Sequence, residues 1–330
     1  MAPPNHDLYH AYSRRMMDFL HSLTPDIEQV SIDECFLDFT GISHRYPSPY
    51  AAARYIKDEI HSRFGFTVNV GISSNKLLAK MASDFTKPDR VHTLFKEEIP
   101  TKMWSLPISE LFMLGRKTVP KLYNMRIRTI GELAKTDKEL LIKKFGKFGK
   151  MMWKYANGID KSEVNYLPEK PKSIGNTVTL PMDISNIEQL EEVIVAITEQ
   201  VTYRLRKENL LATVVNVQLR TKNFVDFSHQ SKLDSATSST KEILKNAKDL
   251  LKEMYKDGMF IRLVGVRVDG LVEKEELQLS LFGNTEENKK QQKLDSVLDG
   301  LNEKYGYNFV KRAGKMNVDK KIFDNFRKKF

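Results

Sequence analysis

The sequence predicts an α/β and α multidomain protein, and three observations carry that reading. Residues 8–86 switch between helical and strand spacing of their apolar side chains. From Pro107 to Gly158, short helical stretches are separated by Gly115, Gly131, Gly146 and Gly149. Beyond residue 172, the apolar periodicity runs strand–helix–strand–strand–helix–strand. At 330 residues the chain is long enough for two or three domains, each with its own core. A hydrophobic content of 41% fits globular rather than disordered structure.

Taken in order, residues 8–22 place Leu8, Tyr12, Met16, Phe19, Leu20 and Leu23 at helical spacing, and Thr24-Pro25 ends that helix. Residues 27–40 alternate like strands. Ala51–Phe64 reads as a helix, Phe66–Ile72 as a strand, and Ser74–Thr86 as a helix that Ser73 or Ser74 caps and Lys87-Pro88 closes. The glycine-punctuated stretch is a small helical domain with Lys143, Lys144, Lys147, Lys150 and Lys154 crowded into one part. Residues 159–171, with two prolines and several charges, read as a linker. A second α/β region follows. Its strands are Ser173–Leu180, Thr213–Leu219, Phe224–Ser228 and Phe260–Val268, and its helices are Ile187–Leu205 and Lys241–Tyr255. This is the order of a ferredoxin-like βαββαβ unit. After Asp269 the chain turns polar; a short helix is expected near Leu294, Val297, Leu298 and Leu301, within an otherwise flexible C-terminal tail.

The balance of 53 Lys+Arg against 43 Asp+Glu gives a net charge of +10. Such an excess favours an anionic partner, nucleic acid first, although it also serves merely to keep a protein in solution. One cysteine, Cys35, excludes an internal disulfide, and no Cys/His cluster has zinc-site spacing. No apolar run is long enough to span a membrane, and Met1–Asp7 lacks the apolar core of a signal peptide. A cytoplasmic protein is expected.

The most informative stretch is Val30-Ser31-Ile32-Asp33-Glu34-Cys35-Phe36-Leu37-Asp38-Phe39. Its apolar positions are even-numbered before Asp33 and odd-numbered after Glu34. A strand changes phase only through a turn or bulge, so a tight turn here would put both carboxylates on one edge. Paired carboxylates suit a hard cation such as Mg²⁺, which takes oxygen ligands and keeps some waters; Asp38 is a further carboxylate for a supporting role. An ordinary exposed hairpin tip accounts for the same residues. Downstream, Val70-Gly71-Ile72-Ser73-Ser74-Asn75-Lys76 is a strand feeding a helix. Lys87, fixed before Pro88, suits a grip on a triphosphate as a point charge, or else simply complements a helix dipole.

Together, Ser31-Ile32-Asp33-Glu34, Gly71-Ile72-Ser73-Ser74-Asn75-Lys76 and Lys87-Pro88 resemble the palm of the Y-family DNA polymerases, in particular the bacterial polymerase IV, or DinB, branch. Tyr155-Ala156-Asn157-Gly158-Ile159-Asp160 resembles the end of that family's thumb, and Lys172-Ser173-Ile174-Gly175-Asn176 the opening of its little finger. The resemblance runs from about Leu8 to Asp269. It implies a partial palm over residues 1–104, a helix-hairpin-helix thumb over 105–160, a linker over 161–171, a little finger over 172–270 and a tail over 271–330.

The resemblance also implies roles. Asp33 and Glu34 would be the catalytic metal ligands for two Mg²⁺ ions, and Lys87 would contact the phosphates of an incoming dNTP. Ser31, Gly115, Lys147, Lys150, Lys172, Arg220 and Lys222 would contact primer–template DNA. The family's palm opens with an Asp-x-Asp-x-Phe-Phe strand that supplies another metal-binding aspartate, and no such strand is found in this sequence. Two readings therefore stand together: a translesion DNA polymerase, or a catalytically inactive DNA- and clamp-binding protein. The hairpin at Leu111–Thr118 keeps Gly115 but has Met113, and further on Arg126, where the family usually has glycines. Gln278-Leu279-Ser280-Leu281-Phe282 resembles the peptide by which bacterial polymerases dock on the sliding clamp, with Leu281 and Phe282 in an apolar pocket and Gln278 making polar contacts. A monomer with no membrane partner is implied.

Overall fold

The computed structural model describes residues 5–167, 170–273 and 286–305. They fall into two compact units that divide at residue 168, inside the stretch predicted as a linker. Among the described residues, no helix is long and apolar enough to cross a membrane.

The N-terminal unit begins with α1 (His6–His21), whose N-terminus is capped by Asn5 through the Leu8 amide at 3.1 Å. β1 (Ile27–Gln29) and β2 (Cys35–Leu37) pair antiparallel, Ile27 opposite Leu37 and Gln29 opposite Cys35. α2 (Pro49–Phe64) starts two residues before the predicted Ala51. Ser48 caps it and Pro49 occupies the first helical turn, where a missing N–H costs nothing. α1, α2 and the hairpin share a core of Met16, Phe19, Leu20, Ile27, Ile56 and Ile60.

β3 (Val70–Ile72), α3 (Lys76–Ser83) and β4 (Val91–Thr93) form a parallel β-α-β crossover, Val70 opposite Val91. The strand predicted from Phe66 is laddered only from Val70, because β4 offers three partners. α3 ends at Ser83 rather than Thr86: the Asn69 side chain donates to both the Ser83 and Thr86 carbonyls, at 3.0 and 2.9 Å, and turns the chain away. Its cap is Asn75, not Ser73 or Ser74; Asn75 Oδ1 accepts from the Leu78 amide at 2.9 Å, while the Ser73 hydroxyl donates to the Leu94 carbonyl. Four short helices follow: α4 (Val119–Tyr123), α5 (Ile130–Lys135), α6 (Lys138–Phe145) and α7 (Lys147–Ala156). Their core is continuous with that of α3, joining Leu77, Leu78 and Met81 to Leu122, Leu133, Leu141 and Met152 across position 104.

The C-terminal unit is a sheet covered on one face by two helices. β5 (Ser173–Ile184), α8 (Ile187–Lys207), β6 (Leu210–Thr221), β7 (Asp226–Thr237), α9 (Thr240–Met254) and β8 (Ile261–Asp269) follow in the predicted βαββαβ order. All pairings are antiparallel and the strand order is β5-β8-β6-β7, with β9 (Val272–Glu273) pairing the start of β6. The first and third strands are thus the edges, whereas a ferredoxin-like sheet holds them at its centre. Val215, Val217, Leu219, Val264, Val266 and Val268 point to the helices and meet Leu190, Ile194, Ile197, Val201, Ile243 and Leu250. By the two-residue period, Asn216, Gln218 and Arg220 lie on the opposite face.

The predicted short helix near Leu294 is α10 (Glu286–Tyr305), with Leu298 and Leu301 half-buried. Leu294 and Val297 face solvent, while Asp295 is 2% exposed. The Asp295 carboxylate accepts from the Thr240 amide at 3.1 Å, capping α9 from outside. Arg206, at the end of α8, holds Asp299 with two hydrogen bonds of 2.6 and 2.8 Å and donates to the Ser238 carbonyl at 3.0 Å. Because Asp295 is buried beside this guanidinium, removing the cation leaves a desolvated charge. Arg206→Ala is expected to destabilise the C-terminal unit by about 3 kcal/mol, read by urea unfolding followed by circular dichroism. A loss under about 0.5 kcal/mol would mean that α10 contributes nothing to the unit's stability.

Candidate active site and nucleic-acid interface

Residues 30–34 form the turn between β1 and β2. The amides of Val30 and Ser31 both donate to the Glu34 carbonyl, at 2.9 and 3.1 Å. The phase change seen in the sequence falls here, but Val30 and Ile32 are exposed residues of the turn rather than inward residues of a strand. The Ser31 hydroxyl donates to Asp33 Oδ1 at 2.7 Å, and the Asp33 amide donates back to that hydroxyl at 3.3 Å. Ser31 therefore fixes the Asp33 carboxylate in an otherwise exposed turn. Asp38 does not join it: its carboxylate accepts from Thr40, whose side chain and amide hold the Asp38 pKa below the usual carboxylate value.

Glu34 is held from α3. Lys80 donates to Glu34 Oε1 at 2.6 Å and lies 3.2 Å from Asp84; Asp84 in turn lies 2.8 Å from Lys87. Glu34, Lys80, Asp84 and Lys87 thus make a ladder of alternating charge. Burial disfavours charge on Lys80, but the bonds to Glu34 and Asp84 outweigh it and raise its pKa above the ordinary lysine value. Burial likewise opposes charge on Asp84, and Lys87 and Lys80 outweigh it and lower the Asp84 pKa. Lys87 is 61% exposed and, among the described residues, anchored through Asp84. One turn earlier on α3, Lys76 donates to Glu28 at 2.6 Å. Asn75 donates to the Gly158 carbonyl at 3.0 Å, and Asp160 accepts from the Leu77 amide at 3.3 Å, so two motifs far apart in sequence meet at the start of α3.

Asp33, Glu34, Lys80, Asp84 and Lys87 all line one open groove of about 1630 Å³ in the N-terminal unit, whose remaining wall includes Leu37, Val68 and Ile72. The sequence singled out Asp33, Glu34 and Lys87; it missed Lys80 and Asp84. Their only local signal is the i,i+4 spacing Lys76–Lys80–Asp84 on one helix face. Among the described residues, no three His, Cys, Asp or Glu side chains gather as a metal-binding group.

In the same unit, Met113 and Arg126 have φ of +71° and +61°, the left-handed conformation that glycine adopts without strain. The hairpin keeps the backbone of a glycine turn with other side chains. Gly115 has ordinary backbone there, and a Cβ on it would meet nothing within 4 Å; its carbonyl accepts from the Thr118 amide at 2.9 Å. Lys147 and Lys150 are exposed in the first turn of α7. In the C-terminal unit, Lys172 is exposed just before β5. Arg220 makes two hydrogen bonds to Asp226, at 2.7 and 2.9 Å, so its charge is already matched, and Lys222 lies beyond the end of β6 with its ammonium over the Phe260 ring. Gln278, Leu279, Leu281 and Phe282 lie outside the described residues.

Comparison with known proteins decides the family. Residues 1–84 match the model of the impB/mucB/samB family, and residues 171–281 match the model of its C-terminal domain. The chain is 43% identical over 319 residues to DNA polymerase IV of Clostridium acetobutylicum, covering 97% of this chain and 80% of that one. The chain belongs to the Y-family, DNA polymerase IV-like polymerases. DNA polymerase IV of Moorella thermoacetica is 38% identical over 312 residues, covering 94% of this chain and 77% of its own length. A solved Y-family DNA polymerase chimera superposes with a TM-score of 0.72 at 26% identity, covering 82% of this chain and 78% of the other. Within this Y-family chain, the match over residues 1–84 contains the Asp33-Glu34 turn and all of α3, and the match over 171–281 contains the whole βαββαβ sheet.

Two outcomes test this local structure. Met113→Gly should stabilise the N-terminal unit by about 0.5–1 kcal/mol in urea unfolding, since the left-handed strain of an exposed side chain is relieved; a loss would mean that the methionine packs more than its exposure implies. Burial pushes the Cys35 thiol up to about 11. At pH 8 its alkylation by iodoacetamide should therefore be about two orders of magnitude slower than in the urea-unfolded chain, and equal rates would contradict the buried setting.

Proposed function

We propose that this chain carries out template-directed DNA synthesis of the translesion type, transferring a nucleotide from a dNTP to a primer 3′-hydroxyl. The observation that carries the reading is the convergence of Asp33 and Glu34 with Lys87, through Lys80 and Asp84, on one groove. A relative 43% identical over 319 residues is a DNA polymerase IV, and one structural neighbour is an insertion ternary complex of Dbh DNA polymerase.

The donor set fits Mg²⁺, which polymerase-type sites bind through one or two carboxylates plus substrate phosphates and water. Asp33 and Glu34 would hold it, and Mg²⁺ bound there supplies Lewis-acid polarisation of phosphate oxygens, two ions sharing the work in this chemistry. The chain's own residues set the stage. Ser31 orients Asp33. Lys80 keeps Glu34 facing the groove and can pair with Asp84 alone once Glu34 turns to a cation. Lys87, tethered by Asp84, reaches the phosphates of the nucleotide.

In this reading residues 1–104 serve as palm, 105–160 as thumb, 161–171 as linker and 172–270 as little finger. Ser31, the turn at Gly115, and Lys147, Lys150, Lys172 and Lys222 hold DNA backbone without reading sequence. Arg220 must exchange Asp226 for a phosphate to join them. Gln278, Leu279, Leu281 and Phe282 dock the tail on a sliding clamp, and the chain works as a monomer.

A second reading, binding of DNA without incorporation, is favoured by one observation: Glu34 is already engaged by Lys80 at 2.6 Å, and among the described residues no third carboxylate joins the pair. Primer extension with Mg²⁺ and four dNTPs separates the two. Extension that Asp33→Ala and Glu34→Ala each reduce by about 10²-fold or more supports the polymerase. No extension, with DNA binding that weakens steeply as salt rises, supports the binding protein. Absence of both overturns the two together.

A further inference from the structure

The hairpin between β6 and β7 carries a feature that neither the fold nor the proposed chemistry uses. Its tip, Lys222–Val225, closes through the Thr221 amide on the Val225 carbonyl and the Phe224 amide on the Thr221 carbonyl, both at 3.0 Å. Phe224 has φ of +61°. A bulky aromatic residue in this conformation is strained by about 1 kcal/mol, and glycine or asparagine would suit such a tip better. Phe224 is also 66% exposed, so its ring recovers little from burial. Neither turn geometry nor packing explains a phenylalanine here.

Its surroundings point to a ligand. The Arg262 guanidinium lies 5.0 Å from the Phe224 ring centre, and the Lys222 ammonium 4.3 Å from that of Phe260, which is 41% exposed. The Lys222 amide donates to the Phe260 carbonyl at 2.9 Å, fixing the two residues side by side. Among the described residues, the acidic group within ion-pair distance of these two cations is Asp183, 3.9 Å from Arg262, which leaves the cluster with two cations to one carboxylate. Each ring therefore has a cation against it and area left to solvent. An apolar peptide would need a groove without cations, and a duplex backbone would need only the cations. Rings and cations interleaved match unstacked bases on a phosphate chain, where the rings take the bases and the cations the phosphates.

We infer that the tip of the β6–β7 hairpin, with Phe260 at the start of β8, is a stacking site for unpaired bases of single-stranded DNA. It rests on the nucleic-acid-binding part of the proposed function and not on catalysis. The test is fluorescence anisotropy of the full chain with an oligothymidine of about 16 nucleotides, the same backbone carrying abasic sugars, and a duplex of equal length. Phe224→Asn, which fits the left-handed backbone and should melt no lower than the parent, removes one ring; Phe260→Ala removes the other; Phe224→Trp keeps a stacking surface.

The expected result is tighter binding of oligothymidine than of the abasic strand. Phe224→Asn and Phe260→Ala should each weaken oligothymidine binding by about 5-fold or more, with the duplex changed by less than about twofold and the Trp variant unaffected. Equal losses on single strand and duplex, or no loss on either, overturn the stacking site. A parent chain that binds the duplex but does not distinguish oligothymidine from the abasic strand overturns it too, while sparing the nucleic-acid reading. A chain that binds none of the three overturns both.

Discussion

Helix α3 can seat itself on strand β3 because residue 71 has no side chain: a Cβ on Gly71 would lie 1.9 Å from the Ala79 carbonyl oxygen. That close approach fixes the height and rotation of α3, and everything at the groove is hung from it. Lys76 and Lys80, one turn apart, reach Glu28 and Glu34 on either side of the β1–β2 turn. Asp84, one further turn along, catches Lys87. Asn75 and Asn69 lock the two ends of the helix, the first to Gly158 and the second to the loop that carries Lys87. A larger residue at position 71 would lift the helix and pull Lys80 from Glu34 without touching any residue of the site itself.

What could be read from the sequence follows the range of the interactions involved. The βαββαβ order was legible because each element announces itself locally, by two-residue alternation in Val215–Leu219 or helical spacing in Leu190–Leu205. The strand order was not, because the pairing of β8 between β5 and β6 depends on contacts over 40 to 96 positions that no local pattern records. The turn at Asp33-Glu34 was legible from its change of phase. Its partner Lys80 was not, since 46 positions separate them and a helical lysine looks the same wherever it points. At Met113 and Arg126 the reading from residue type stopped at the missing glycines, whereas the surrounding helices impose the left-handed backbone regardless. α10 shows the same limit: its apolar positions were visible, but the inward face also holds Asp295 and Asp299, because Arg206 and the start of α9 supply polar partners that only the folded unit brings together.

The net charge of +10 is less available than it looks. Lys76 and Lys80 are matched by glutamates, Lys57 by Asp58 and Asp89, Arg220 by Asp226, and Arg206 by Asp299. A polyanion arriving at such residues exchanges partners instead of filling vacancies. Each exchange gives up one ion pair to make another, so the net gain per contact is small and grip must come from many contacts or from cations whose local partners are weak. Lys87, Lys147 and Lys150 are of that second kind, being exposed and lightly tethered.

The same pairing explains how Asp33 and Glu34 can stand side by side. Two adjacent carboxylates repel each other, and an exposed turn has little rigidity to hold them together. Ser31 ties down one with a hydroxyl and Lys80 the other with an ammonium, so each has its own local compensation. In the proposed function, a cation held by Glu34 would displace a lysine that has a second acceptor at 3.2 Å, and Asp84 would keep the released ammonium from being stranded in its partly buried position. Displacing Lys80 and loosening Lys87 from a then shared Asp84 would be one movement of charge along the ladder. In the proposed function, cation binding at one end and phosphate capture at the other would be coupled by the pairing itself.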